Sequence, residues 1–240
     1  LLDAKADPDA ANTDLDRALL RAANSGIILS LRDLIDAKAD LNAADQSGDT
    51  ALLMAIKGCH VDCVQVLLDA KADLTAANNH GDTALLMAVS KSDAECAHML
   101  IEGKANVNAT NQYGITALMR SMVKGNVRCV KMLLEAKADV NVAGRRGSTA
   151  LFYAVRDDND ECMQLLLEAD ADVNVAAKNG FTALMESAGE GHIACTQALL
   201  NAKANVTAKN LKDKTALILA ARNGHTVCVQ MLLDARADVN

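Results

Sequence analysis

Aromatic side chains are almost missing from this chain of 240 residues, which has no Trp, two Tyr and two Phe. Its core must therefore be built from Ala, Leu, Val, Met and Cys, and with 51% of residues hydrophobic there is enough of that material. Such residues favour helices. A basic run is missing too. With a formal charge of −7 and a pI near 5.2, the chain lacks the basic stripe a nucleic-acid or membrane-surface binder presents to phosphates. No apolar stretch approaches the roughly 18 residues of a membrane span, and the first residues lack the charged-then-apolar order of a signal peptide. We therefore expect an intracellular, cytoplasmic protein with no membrane insertion and no nucleic-acid partner. An initiator Met is also missing, so a longer parent chain stays open. The length alone fits one domain or two.

What is present is repetition. The segment LLDAKAD stands at Leu1 to Asp7 and at Leu67 to Asp73, and LLDARAD at Leu232 to Asp238. Laid against itself, the sequence keeps one uninterrupted register, marked by Gly48, Gly81, Gly114, Gly147 and Gly180. Two residues further on stand Thr50, Thr83, Thr116, Thr149, Thr182 and Thr215, each followed by Ala and Leu. The period is 33 residues, as between Gly48 and Gly81. We divide the chain into a partial unit at 1–14, repeats at 15–47, 48–80, 81–113, 114–146, 147–179 and 180–212, and a truncated unit at 213–240.

Within one unit, Thr50 can cap a helix over Ala51 to Lys57, and the Gly58 region breaks it. A second helix starts near Val61, with Cys63, Val64, Leu67 and Leu68 on one stripe and Asp62, Gln65 and Asp69 on the other face. Ala72 to His80 returns as a loop with turn-forming residues. One such pair cannot bury its stripe alone, so neighbouring copies must stack into a continuous core.

The period, the G-x-T-x-L start, the Gly-His before the second helix (Gly191 and His192; Gly224 and His225) and A-D-V-N (Ala138 to Asn141; Ala171 to Asn174) resemble the ankyrin repeat family over the whole chain. The resemblance implies an all-α solenoid of stacked helix pairs with turn fingertips along one edge, and a role in protein binding. Two departures stand out. The family's T-P-L-H reads T-A-L (R-A-L at Arg17) followed by Leu20, Leu53, Leu86, Met119, Phe152, Met185 or Ile218, so apolar packing is expected to replace the His network. Where the family has a left-handed Gly after the second helix, this chain has Lys5, Lys38, Lys71, Lys104, Lys137, Asp170, Lys203 and Arg236. The left-handed penalty of roughly 1 to 2 kcal/mol exceeds the return of about 0.3 to 1 kcal/mol from a cation there, so either the backbone departs from that conformation or the array tolerates strain. The hinge between helices is Gly at 26, 125, 191 and 224 but Cys59, Ser92 and Asp158 elsewhere, which predicts locally weaker units.

Six of the seven cysteines, at 63, 96, 129, 162, 195 and 228, recur on the buried stripe, with Ser30 in the equivalent first place. Spaced by a helix-packing distance they are too far apart for disulfides, which reads as core packing in a reducing compartment. Cys59 lies beside His60 without a second ligand pair, so no metal is expected. No phosphate loop, nucleophile elbow or H-E-x-x-H occurs, so no cofactor and no enzymatic activity are expected. The acids Asp3, Asp36, Asp69, Glu102, Glu135, Glu168 and Asp234 recur once per unit and mark a solvated face. The family resemblance makes Asn42, Asn108, Asn141 and Asn174 conceivable hydroxylation substrates; loop bracing is the simpler role.

Function is sought in what varies between copies. The resemblance places binding at the fingertip turns and the inner face of the first helices. All four aromatics, Tyr113, Phe152, Tyr153 and Phe181, fall in one stretch between residues 113 and 181, with arginines beside them. Tyr and Arg are enriched at interface hot spots. The expected partner-binding residues are Tyr113, Ile115, Arg120, Arg145, Arg146, Tyr153, Arg156 and Phe181, facing an acidic or mixed acidic and apolar protein surface. The expected function is a non-catalytic protein-protein interaction scaffold. The alternatives are a targeting or regulatory arm of a longer enzyme or channel, and an array without a natural partner, which the irregular hinges and turns oppose.

Overall fold

The computed structural model describes residues 8–238, with side chains from Asp14 onward. Asp3, Lys5 and the first half of the partial unit at 1–14 lie outside the described residues, as do Val239 and Asn240. The chain forms two compact units, Leu1–Gln112 and Tyr113–Asn240. The first contains three helix pairs: α1 (Pro8–Ser25) with α2 (Ile28–Asp36), α3 (Ala51–Lys57) with α4 (Val61–Asp69), and α5 (Ala84–Ser90) with α6 (Ala94–Glu102). The second contains four: α7 (Ala117–Lys124) and α8 (Val127–Glu135), α9 (Ala150–Arg156) and α10 (Asp160–Glu168), α11 (Ala183–Glu190) and α12 (Ile193–Asn201), α13 (Ala216–Asn223) and α14 (Thr226–Asp234). Among the described residues β structure is limited to isolated bridges within turns, such as Ala44 with Thr50.

Helices of seven to nine residues are marginal in isolation; packing in two layers holds these together. In the first unit α1, α3 and α5 form one layer and α2, α4 and α6 the other; in the second, α7, α9, α11 and α13 stack beside α8, α10, α12 and α14. Small residues set the approach of the first layer. Ala51, Ala55, Ala84, Ala88, Ala150, Ala154 and Ala220 are at most 2% exposed, and Ser121 and Ser187 fill the same place fully buried. Each second helix from α4 to α14 contributes a Cys and a Leu, as Cys63 and Leu67 or Cys129 and Leu133, all buried. All seven cysteines are free and Cys59 alone is exposed. Ser30 departs from the expected stripe: it is exposed, because no described helix pair covers the outer side of α2. The apolar residues in place of the family's His are buried at 20, 53, 86, 119 and 185, while Ile218 in the last pair is 37% exposed.

Helix starts follow the sequence reading with one exception. Thr50, Thr83, Thr116, Thr182 and Thr215 accept the backbone N–H three residues on, at 3.2 to 3.5 Å; Thr149 makes no such bond. Second helices are capped by Asp93, Asn126 and Asn159. The histidines at this place do not cap. His60 Nε2 donates to the Asn24 carbonyl at 3.0 Å and His192 Nδ1 to that of Val155 at 2.9 Å, each bonding back to the preceding pair. α1 begins at Pro8, well before the register position of Ala18, with Pro at the first helical place where its fixed φ suits the helix.

The lysines settle the strain question. Lys38, Lys71, Lys104, Lys137, Asp170, Lys203 and Arg236 all keep the left-handed conformation, with φ between 61 and 69°. At each, its N–H donates three residues back and the following Ala N–H five residues back, as Lys71 to Leu68 O and Ala72 to Leu67 O, both 3.0 Å. That is the Schellman arrangement. Burial of the following alanines, 39, 72, 105, 138, 204 and 237, supplies its apolar contact. Two bonds and a buried methyl hold the backbone against the side-chain penalty, so the array carries the strain. The hinges behave alike: Cys59, Ser92 and Asp158 keep φ at 57, 60 and 50° where the other hinges have Gly.

Candidate protein-interaction surface

Turns between pairs close on themselves with backbone bonds, one of them strand-like, and join the next turn with another. In the first unit Asp45 N donates to Asp49 O, and Asn79 N to Ser47 O. The second unit repeats this: Gly144 N to Ser148 O, Ala177 N to Phe181 O and Asn210 N to Lys214 O close the turns; Arg145 N to Tyr113 O, Lys178 N to Arg146 O and Leu211 N to Asn179 O link them. The turn tips are therefore a rigid, hydrogen-bonded edge.

What the edge presents differs between units. In the first it is acidic, and the acids are in use. Asp49, 2% exposed, accepts from Lys57 Nζ at 2.9 Å and from Asn78 Nδ2 at 3.2 Å. That pairing pushes the Lys57 pKa up, first through the hydrogen bond to Asp49 and then through its charge. Asp82 accepts from Asn111 Nδ2 at 2.8 Å, and Asp45 accepts from the N–H groups of Ser47 and Asp49. In the second unit the place of Asp49 and Asp82 is taken by Ile115, Ser148, Phe181 and Lys214. One consequence is an orphan. Asn210 stands to Phe181 as Asn111 stands to Asp82; its Oδ1 accepts from Lys212 N and Lys214 N, which fixes the amide, and its Nδ2 is buried without an acceptor.

The eight sequence-predicted residues all lie in the second unit and fall into two groups. Tyr113, Ile115, Arg145, Arg146 and Phe181 belong to the turn edge; Tyr113 is 57% exposed, both arginines are exposed, and Ile115 and Phe181 are half-buried. Arg120, Tyr153 and Arg156 stand on the first-helix layer, where α7 packs on α9. The Arg156 guanidinium lies 4.9 Å from the Tyr153 ring centre, a cation–π pair. Arg120 is half-buried, and its Nε is enclosed with no acceptor. Glu186, at the same place on α11, is half-buried; burial, helped by Glu190, pushes its carboxyl above the usual range. Phe152 is half-buried as well.

The expected bracing by asparagines is present. Asn42, Asn141 and Asn174 accept from the backbone N–H of Asp73, Asp172 and Asn205 in the following repeats. Sequence reading missed one cluster: Cys195 Sγ donates toward Asp160 at 3.2 Å and Asp158 at 3.6 Å. The thiol sulfur and the two carboxylate oxygens lie within 4.8 Å of one another, and burial, helped by the two carboxylates, pushes the thiol pKa up. Reading also passed over Leu211, Lys212 and Lys214, whose signal was the break in the Asp–Asn pairing at Phe181 and Asn210.

Short stacked helix pairs with a rigid edge of variable, exposed turns define a repeat-type interaction module. The model of the ankyrin repeats family matches in three copies, over residues 19–111, 103–177 and 171–240, and the chain belongs to that family. A solved structure it resembles is the ankyrin repeat domain of Bcl-3, a unique member of the IkappaB protein family, at 26% identity and a TM-score of 0.80, covering 89% of this chain and 97% of that one. As many as 618 solved chains match, so this likeness speaks for the fold and not for a partner. None of the curated proteins compared with the chain matches it. No helix among the described residues is long and apolar enough to cross a membrane.

Proposed function

We propose that the chain is a non-catalytic scaffold that binds a partner protein through the second unit, using the turn edge at Tyr113, Ile115, Arg145, Arg146 and Phe181 and the helix face at Arg120, Tyr153 and Arg156. Ankyrin repeats are in general a non-catalytic interaction module, and membership of the family supports the scaffold reading. The observation that carries the choice of surface is the exposure of Tyr113 beside Arg145 and Arg146, neither of which has an ion pair among the described residues. Large side chains with polar ends held on a rigid edge are the residues from which binding hot spots are made. The partner surface is acidic or mixed acidic and apolar. Buried free thiols fit a reducing, intracellular setting. A second reading, favoured by the Bcl-3 likeness being to a domain of that protein, makes this array the recognising arm of a longer chain.

The test is a paired capture from cell lysate, with the chain and with a variant carrying Y113A, R146A, Y153A and F181A whose folding is checked by circular dichroism. A protein held by the parent and lost from the variant supports the site. Equal retention by both overturns it, and capture of nothing by either overturns the scaffold reading.

A further inference from the structure

The sign of charge along the turn edge reverses between the units. Turns 44–50 and 77–83 carry Asp45, Asp49 and Asp82 with no Lys or Arg. Turns 143–149, 176–182 and 209–215 carry Arg145, Arg146, Lys178, Lys209, Lys212 and Lys214 against Asp213 alone. The acids of the first unit are satisfied internally, as described above. The bases of the second are exposed and without ion pairs among the described residues. A chain of net charge −7 that concentrates six bases on three adjacent turns has built a local positive ridge against its own field. A second, independent sign points the same way: the Asn210 amide, in the last turn of this ridge, lacks the carboxylate acceptor that Asn78 and Asn111 have in the first unit.

The spacing of the ridge defines what fits. Each turn is paired internally and to its neighbour by single strand-type bonds, so one repeat advances by two strand spacings, about 9.5 Å. An extended peptide rises about 3.3 Å per residue. Three peptide residues thus span one turn, and three basic turns span roughly seven. We propose that this ridge captures an extended acidic segment of the partner protein, with carboxylates at every third residue over three successive turns and an apolar residue reaching Tyr113 one turn earlier. This rests on the scaffold reading above and names the partner's chemistry. A second copy of the chain is disfavoured as occupant because the carboxylates on its acidic edge are already bonded. A nucleic acid is disfavoured by the net charge and by the lack of an exposed aromatic stacking row on these turns, where Phe181 is half-buried and the exposed Tyr113 stands one turn away.

The test uses the full chain and a fluorescein-labelled peptide with Tyr followed by Glu at every third position in a Ser and Thr background, read by anisotropy. A permuted peptide of the same composition with its Glu residues contiguous is the control. The expected result is binding at least about tenfold tighter for the period-three peptide, weakened about tenfold by R145E/R146E and again by K212E/K214E, and unchanged by R128A/K131A on the exposed side of α8. These exposed turn substitutions are mild for folding, and circular dichroism checks it. Equal binding of the permuted peptide, displacement by polyuridylate at equal concentration, or self-association of the chain in its place would each overturn the inference. Failure here with the captured partner still lost from the alanine variant leaves the scaffold reading standing. If the captured partner binds the alanine variant as well as the parent, while the period-three peptide binds as expected, the scaffold site falls and the ridge remains.

Discussion

Replacing Phe181 with Asp is expected to stabilise the second unit, although it removes one of the chain's few aromatic rings. In the first unit the acid at this place bonds an Asn side chain of the next turn, at 3.2 Å for Asp49 with Asn78 and 2.8 Å for Asp82 with Asn111. In the second, Asn210 is held by two backbone donors with its Nδ2 pointing at no acceptor. A hydrogen bond to a charged group contributes about 1.5 to 3 kcal/mol. Against this, removing a half-buried Phe costs about 1 kcal/mol, roughly half the value of full burial. The net is a gain of about 1 kcal/mol. The decisive form is a double-mutant cycle with Asn210→Ala, since that change also removes the acceptor for Lys212 and Lys214 and the cycle cancels the loss. Urea unfolding of the four proteins, converted through the slope of each transition, is expected to give a coupling of about 1 to 2 kcal/mol. A coupling of zero would refute the reasoning, because Phe181→Asp would then act without reference to Asn210.

Other expectations follow from the caps and the buried charge. Lys104→Gly raises stability by about 0.5 kcal/mol, the left-handed penalty less the freedom Gly regains on unfolding and the lost cation at the helix end; Asp170→Gly gains about 1 kcal/mol, since an acid there opposes the helix dipole. A shift of the urea midpoint in the other direction at both sites would count against the strain account. Thr116→Ala costs about 1 kcal/mol and Thr149→Ala less, because Thr116 caps its helix and Thr149 does not; equal losses would contradict this. Glu186 has a folded pKa above the ordinary 4.5, so the folded state holds the proton more tightly and ionised Glu186 weakens the fold at neutral pH. Stability is therefore gained as pH falls from neutral through the folded value toward 4.5, and Glu186→Gln removes that gain while raising stability at pH 7. A wild-type deficit that does not shrink on acidification would refute it.

The fold was readable from its repeats because each repeated residue answers a packing need. Thr83 caps, Ala84 and Ala88 set helix approach, and Cys96 and Leu100 fill the second layer, so one register predicts every pair. The strain at Lys71 was not readable. Local energetics alone weigh a penalty against a charge, whereas the backbone is held by the bonds to Leu67 and Leu68 and by buried Ala72. At the candidate surface, exposure of Tyr113 and of Arg145 and Arg146 could be read from their place at turn tips. The half-burial of Phe181 could not, since its ring takes the space of a missing acid. The basic character of 209–215 is split by the boundary between repeat 180–212 and the truncated unit, and the Asn210 orphan emerges only when the Asp–Asn pairs are read across adjacent turns.

The central claim is that recognition resides where the repeats differ, in the second unit. Hydrogen exchange of the full chain with and without its captured partner tests it most directly. The expected result is protection concentrated at 113–116, in turns 143–149, 176–182 and 209–215 and along α7 and α9, with the first unit unchanged. Protection confined to the first unit, or to the outer second-helix layer, would contradict it.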